Sequence, residues 1–293
     1  MKDTKISVNG IDLHLLDFGG AEHEETILCV HGLTSNCRIW DAVAERLVDR
    51  YHVIAIDLRG RGDSQKPWTG YRIPQHVEDV RALLDELGLE KVIYLGHSLG
   101  ASIGVAFATT HPERLSRLIL VDGGADVPDT VFELLKPSID RLGKVSPSFG
   151  AYLEPLLNGP FFPEWNAYIE QHYYHDVQHH PDGSVSSKVR KEAIEEEIDA
   201  LQKFSLNTLH PRITVPTLVF WSPGSLMHPT IFVLTEEKGK AIAAGIPQGR
   251  FVEIPESNHF TILLTHYEET VRATKQFLEE TKNQKSQKTL ARV

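Results

Sequence analysis

The chain has 293 residues, enough for one large α/β domain or two modest ones. Hydrophobic residues make up 41% and charged residues 24%, the balance of an ordinary globular protein, which excludes a chain disordered over most of its length. Acidic residues number 40 against 30 basic ones, a formal charge of −10, so nucleic acid and anionic membrane surfaces are disfavoured as partners.

Met1 to Gly10 alternates polar and apolar residues and lacks the apolar centre of a secretory signal. No apolar run has the length needed to span a bilayer. The two cysteines are Cys29 and Cys37, and Cys29 falls inside an expected strand. A disulfide is therefore not expected, and a reducing, cytoplasmic location is.

In chain order, Ile6 to Val8 and Ile11 to Leu16 bracket Asn9-Gly10, a pair that favours a tight hairpin turn. Thr26 to Val30 is a short apolar run ending at His31-Gly32. Trp40 to Val48 places Trp40, Val43, Ala44 and Leu47 on one helical face. Tyr51 to Leu58 reads as a buried strand, closed by the turn-rich Arg59-Gly60-Arg61-Gly62-Asp63-Ser64. A helix follows through Val77, Val80, Leu83, Leu84 and Leu87, with Gly88 as its stop. Val92 to Leu95 is a strand that runs into Gly96-His97-Ser98-Leu99-Gly100, the next helix lasts to His111-Pro112, and Leu118 to Val121 is a strand. This alternation predicts a parallel sheet with helices on both faces.

From about Ala125 to Leu209 the pattern is helical with no convincing strand, and it is rich in aromatics, among them Phe161, Phe162, Trp165, Tyr168, Tyr173 and Tyr174. Strand–helix alternation resumes at Pro216 to Trp221 and continues through a helix near Glu236 to Ala244, the strand Phe251 to Ile254 and a helix at Tyr267 to Thr281. Asn283 to Val293 is expected to be loose.

The chemistry concentrates at Gly96-x-Ser98-x-Gly100. A serine on a sharp strand-to-helix turn has its hydroxyl lifted above the carboxyl edge of the sheet, and neighbouring side chains two residues away would collide, hence the glycines. The helix start adds backbone N–H groups and a partial positive charge. A second N–H donor, from Leu33 in His31-Gly32-Leu33, suits an oxyanion hole shared with Leu99. His259, in the loop after the strand Phe251 to Ile254, can reach back as base for Ser98.

Strand-His-Gly, the turn Asp57 to Ser64, Gly-His-Ser-Leu-Gly and the late Asn258-His259 resemble the α/β-hydrolase superfamily over nearly the whole chain. The resemblance implies an eight-stranded, mostly parallel sheet, a core of residues 1–124 and 210–293, and a helical cap at 125–209. It also implies that the cap aromatics Trp165 and Tyr168, with His31, Gly32 and His97 below, border a small-molecule substrate. Members commonly carry an Asp in the loop after the strand matching Thr217 to Trp221, but here Ser222 to Thr230 holds no carboxylate. Some relatives take the acid from the preceding strand end, where Asp122 stands; Asp126 and Glu256 are the alternatives.

The implied reaction is hydrolysis of an ester, thioester or lactone through an acyl-enzyme. Carbon–carbon bond hydrolases and perhydrolases share the same residue set, and a weakly catalytic ligand-binding sensor is the rival that the missing late Asp leaves open. The cluster His172, His175, Asp176, His179, His180 lacks a supporting metal motif and reads as a solvated or capping face. No phosphate loop or dinucleotide fingerprint occurs, so neither cofactor nor metal is expected, and the chain is expected to act as a monomer or homodimer.

Overall fold

Asn9 (φ 47°) and Gly10 (φ 78°) both take the left-handed conformation, and Val8 pairs with Ile11, so the first hairpin closes at the expected turn. The computed structural model describes residues 1–20, 25–225 and 231–290. The core begins with β1 (Lys2–Val8), β2 (Ile11–Gly19), β3 (Thr26–Val30), α1 (Asp41–Leu47) and β4 (His52–Ile56). It continues with α2 (Ile73–Glu86), β5 (Val92–His97), α3 (Leu99–Thr110) and β6 (Leu115–Val121). An insertion then carries α4 (Asp129–Asp140), β7 (Val145–Ser146), α5 (Phe149–Leu157), α6 (Ala167–Asp176), β8 (Val177–His179), β9 (Val185–Ser187) and α7 (Lys191–Gln202). The chain closes with β10 (Thr217–Trp221), α8 (Glu236–Gly245), β11 (Gly249–Glu253), α9 (Thr261–Leu264) and α10 (Tyr267–Leu290).

Eight strands form one sheet in the order β1-β2-β4-β3-β5-β6-β10-β11. Only β1–β2 and β2–β4 pair antiparallel; every later neighbour is parallel, as helical crossovers demand. The central strand β3 is buried along its whole length. Its alternate residues serve two separate cores: Leu28 and Val30 pack with α2 and α3, whereas Ile27 and Cys29 pack with α1, α9 and α10. That division is the period-two geometry of a strand covered on both faces.

Two expectations need correction. The insertion is not purely helical, because β7, β9 and β8 make a small antiparallel sheet. Its strands are two or three residues long, too short for any alternation to register. The C-terminal helix also runs on to Leu290 instead of loosening at Asn283. Lys, Gln and Thr with no Gly or Pro give that stretch no stop signal, and polarity alone does not end a helix.

Glycines make the close contacts between the sheet and α3 possible. A Cβ on Gly100 would lie 2.1 Å from the Val30 carbonyl oxygen, and one on Gly96 would lie 2.4 Å from the Gly100 carbonyl oxygen. Buried histidines join strand ends: the Leu58 N–H donates to His31 Nε2 (3.0 Å), and His31 Nδ1 donates to the Gly32 carbonyl (2.7 Å). Burial pushes His31 and His172 down to about 4, so both are neutral in the fold.

Gly100→Ala is therefore expected to cost at least the ~1–3 kcal/mol typical of overpacking, read as a lowered urea midpoint; an unchanged midpoint would refute this packing. The histidines make acid destabilising. Unfolded imidazoles bind protons below about pH 6.5, while His31 and His172 resist protonation until about 4. Stability is thus complete above that window and falls as pH drops through it, and a thermal midpoint that stays level between pH 7 and 4.5 would contradict the assignment.

Candidate active site

The path of the chain from β5 into α3 forces Ser98 into φ 54°, ψ −115°, a conformation that costs a non-glycine residue about 1–3 kcal/mol. The turn is held from below, since the Ser98 N–H donates to the Val121 carbonyl (3.0 Å) and the Ser98 carbonyl accepts from Ala101 and Ser102. With its own N–H committed, Ser98 leaves the first N–H of α3, that of Leu99, facing outward at the helix start. Neither the Leu99 nor the Leu33 N–H has a protein acceptor among the described residues. Gly32 explains itself here: a Cβ would sit 3.1 Å from Ser98 Cβ and 3.6 Å from Ser98 Oγ.

His31 is corrected from a substrate contact to a brace. It is completely buried and does not border the cavity. Because Leu58 donates to its Nε2, the proton must sit on Nδ1 and point at the Gly32 carbonyl. The Leu33 N–H belongs to that same peptide and points the opposite way, so His31 aims it.

His259 occupies the loop after β11, and its Nδ1 lies 2.6 Å from Asp122 Oδ2. Asp122 directly follows β6 at φ 45°, is buried, and uses Oδ1 to accept the Ser222 N–H at 3.1 Å. The loop after β10, which carries no carboxylate, thus supplies a backbone donor to Asp122 on the neighbouring strand end. It is also tied directly to the histidine loop, since the Gly224 N–H donates to the Ser257 carbonyl at 2.8 Å. Leu226 to Thr230 of that loop lie outside the described residues.

The alternatives sit elsewhere. Asp126 Oδ1 accepts the Leu206 and Asn207 N–H groups at the two ends of the insertion. Glu256 is an exposed turn residue with φ 60°.

His97, expected as a substrate contact, borders the cavity but also supports His259. Its Nε2 donates to the His259 carbonyl at 2.8 Å, and the two rings lie 4.5 Å apart. Burial holds His97 well below the ordinary imidazole range, so it stays neutral.

Ser98, Leu99, Gly32, Leu33, His97 and His259 line one cavity. Its roof comes from Val131, Phe132 and Leu135 of α4 and Leu201 of α7, with Val127 and Leu234 alongside. Trp165 and Tyr168 are corrected: neither borders it. Trp165 stacks on Tyr173 and meets Phe162 edge-on inside the insertion. Tyr168 donates to Glu45 (2.7 Å) and packs on Tyr267, joining the insertion to the core. Aromatic density thus marked the insertion's own packing, while the cavity's roof is mainly aliphatic, with Phe132 as its aromatic member. Its signal was the spacing of Val131, Phe132 and Leu135 on one face of α4.

The histidine cluster of the insertion is also structural. Asp176 takes the Tyr152 hydroxyl and Arg141, His172 is buried, and His180 meets Ser186 Oγ at 2.9 Å. Among the described residues the group with metal-like spacing is a different one, His14, Cys37 and Asp57. Its carboxylate is already satisfied, because Asp57 accepts from the Cys37 N–H (2.7 Å), the Asp63 N–H (2.8 Å) and His14 Nδ1 (2.6 Å). Burial also pushes the Cys37 thiol far up, away from the thiolate a metal requires. The group suits a structural knot better than a metal.

Comparison with known proteins bears on the family. The chain is 40% identical over 110 residues to an uncharacterized protein of Mycobacterium tuberculosis, a match covering 37% of this chain and about a third (32%) of that relative. The solved E-2-(acetamidomethylene)succinate hydrolase superposes with a TM-score of 0.84 at 23% identity, covering 95% of this chain and 99% of that one. The enol-lactonase of Burkholderia xenovorans LB400 superposes with a TM-score of 0.72 at 25% identity, over 94% of this chain and 100% of that one. Residues 25–265 match the family model for the alpha/beta hydrolase fold, and with the eight-stranded sheet in place the chain belongs to that family.

Proposed function

We propose that the protein is a serine hydrolase that transfers an acyl group from a neutral ester or lactone to water. The observation that carries the reading is the 2.6 Å contact of His259 Nδ1 with Asp122, beside a serine held at φ 54° in the same cavity. Asp122 fixes the tautomer that leaves His259 Nε2 free to take a proton. Ser98 Oγ then attacks the carbonyl carbon as its proton passes to His259. The carbonyl oxygen gains the negative charge and is met by the Leu33 and Leu99 N–H groups, each such donor being worth about 3 kcal/mol in related sites. The proton goes on to the leaving alkoxide, and water, activated by the same His259, releases the acid and restores Ser98.

The cavity lining favours an uncharged acyl portion. Apart from serine, threonine and histidine the described residues that border it are apolar, and none of them is Lys, Arg, Asp or Glu. A substrate carboxylate would be desolvated there without a cation to pair it. That separates this chain from the structural neighbour named for a succinate substrate, and brings it nearer the neighbour named as a lactonase. The two buried cysteines are free thiols, which supports a cytoplasmic location. No described helix is long and apolar enough to cross a membrane.

Nitrophenyl esters of graded acyl length test the reading. Neutral butyrate and hexanoate esters are expected to turn over faster than the hemisuccinate, and Ser98→Ala to lose about 10⁶-fold in turnover. If Ser98→Ala keeps its activity, the proposal fails. Asp122→Asn is expected to lose about 10⁴-fold in kcat while folding normally, because Asn still accepts the Ser222 N–H but presents the wrong partner to His259. Turnover close to that of the parent would remove Asp122 from the mechanism.

A further inference from the structure

Arg61, Glu197 and His76 form a charged trio at the junction of the core and the insertion, and none of the three side chains is more than 1% exposed. Arg61 lies in the turn after β4, Glu197 on α7, and His76 on α2. Arg61 Nη2 donates to Glu197 Oε2, and the second Glu197 oxygen lies 2.8 Å from His76 Nε2. The two remaining Arg61 nitrogens reach backbone: Nη1 donates to the Arg59 carbonyl at 2.9 Å, and Nε donates to the Leu33 carbonyl at 2.9 Å.

Stability alone does not call for such a trio. Burying charges costs desolvation that their attraction roughly repays, and apolar groups of similar size often serve as well. Contacts independent of it already dock α7: Glu196 accepts the Gly70 and Tyr71 N–H groups, and just before α7 Lys188 pairs with Asp63 at 2.8 Å. What the trio adds is its reach to Leu33. His31 holds the peptide before the Leu33 α-carbon, through the Gly32 carbonyl, and Arg61 holds the peptide after it, through the Leu33 carbonyl. With both flanking peptides anchored, the Leu33 N–H has one direction.

We infer that Arg61 is a positioning residue for the Leu33 N–H of the proposed oxyanion hole, and that Glu197 makes its placement depend on the docking of helix α7. The inference rests on the acyl-transfer reading above. Leu201, one turn beyond Glu197 on the same face of α7, borders the cavity. The helix that roofs the substrate site is thereby linked by a single guanidinium to the loop that would hold the oxyanion. A substrate that seats Leu201 correctly also keeps Arg61 in line.

The test is the rate at which Ser98 is phosphonylated by an alkyl fluorophosphonate, whose phosphonyl oxygen needs the same hole. Rates per folded molecule are compared for the parent, Arg61→Lys, Arg61→Met and Glu197→Gln, together with thermal midpoints. Losing a whole oxyanion donor costs about 10²–10³-fold, so misaiming one is expected to slow labelling about tenfold or more in both Arg61 variants. Glu197→Gln is expected to fall between these and the parent. The pH profile of labelling should keep its shape in every variant, because the His259–Asp122 contact is untouched.

Labelling within twofold of the parent in the Arg61 variants, even with lowered midpoints, would reduce the trio to a structural brace and overturn the inference. If the Arg61 variants do not fold, Glu197→Gln decides it, and parental labelling there overturns the coupling. A parent that fails to label at all would instead sink the acyl-transfer reading.

Discussion

The structure turns on a backbone that would relax if it could. Ser98 sits at φ 54° because the chain must leave β5 and enter α3 within one residue, and the surrounding backbone approaches too closely for side chains. Gly32 and Gly123 face Ser98 itself, where a Cβ on Gly123 would lie 2.7 Å from the Ser98 carbonyl oxygen, while Gly96 and Gly100 let the start of α3 close on β5 and on the end of β3. The turn is stable because three neighbouring segments over-determine it. Its consequences are a hydroxyl presented to a cavity and a helix start whose first N–H is uncommitted.

Around that turn, buried polar groups aim other groups by fixing protons and peptide planes. Leu58 sets the His31 tautomer, and His31 sets the direction of the Gly32–Leu33 peptide. His97 holds the His259 carbonyl while Asp122 holds its ring. Neutral imidazoles carry two of these tasks, and burial is what keeps them neutral. Asp122 fits the same logic: the strand end that carries it lies beside β10, and the Ser222 N–H at the end of β10 completes its shell.

Much of this was legible in the sequence, for reasons that differ by element. The large sheet followed from strand–helix alternation, and Ser98 from glycines whose spacing is a steric requirement of the turn. Asp122 entered as the candidate acid through the resemblance, since some relatives carry the acid at that strand end and the later loop here lacks a carboxylate. The roof did not follow, because aromatic density identifies burial without saying whether a residue is buried against protein or against substrate. Trp165 and Tyr168 were misplaced for that reason. The Arg61–Glu197 pair was out of reach for another: its members are 136 residues apart, and only the docked insertion brings them together. The short strands β7, β8 and β9 owe their existence to each other and to no local pattern.

A crystal structure of the adduct formed with a neutral alkyl fluorophosphonate tests the central claim most directly. Acyl transfer at Ser98 requires phosphorus bonded to Ser98 Oγ, its alkyl chain under α4 and α7, and its oxygen about 2.7–3.1 Å from the nitrogens of Leu33 and Leu99. Phosphorus on any other residue, or an oxygen turned away from both N–H groups, would contradict it.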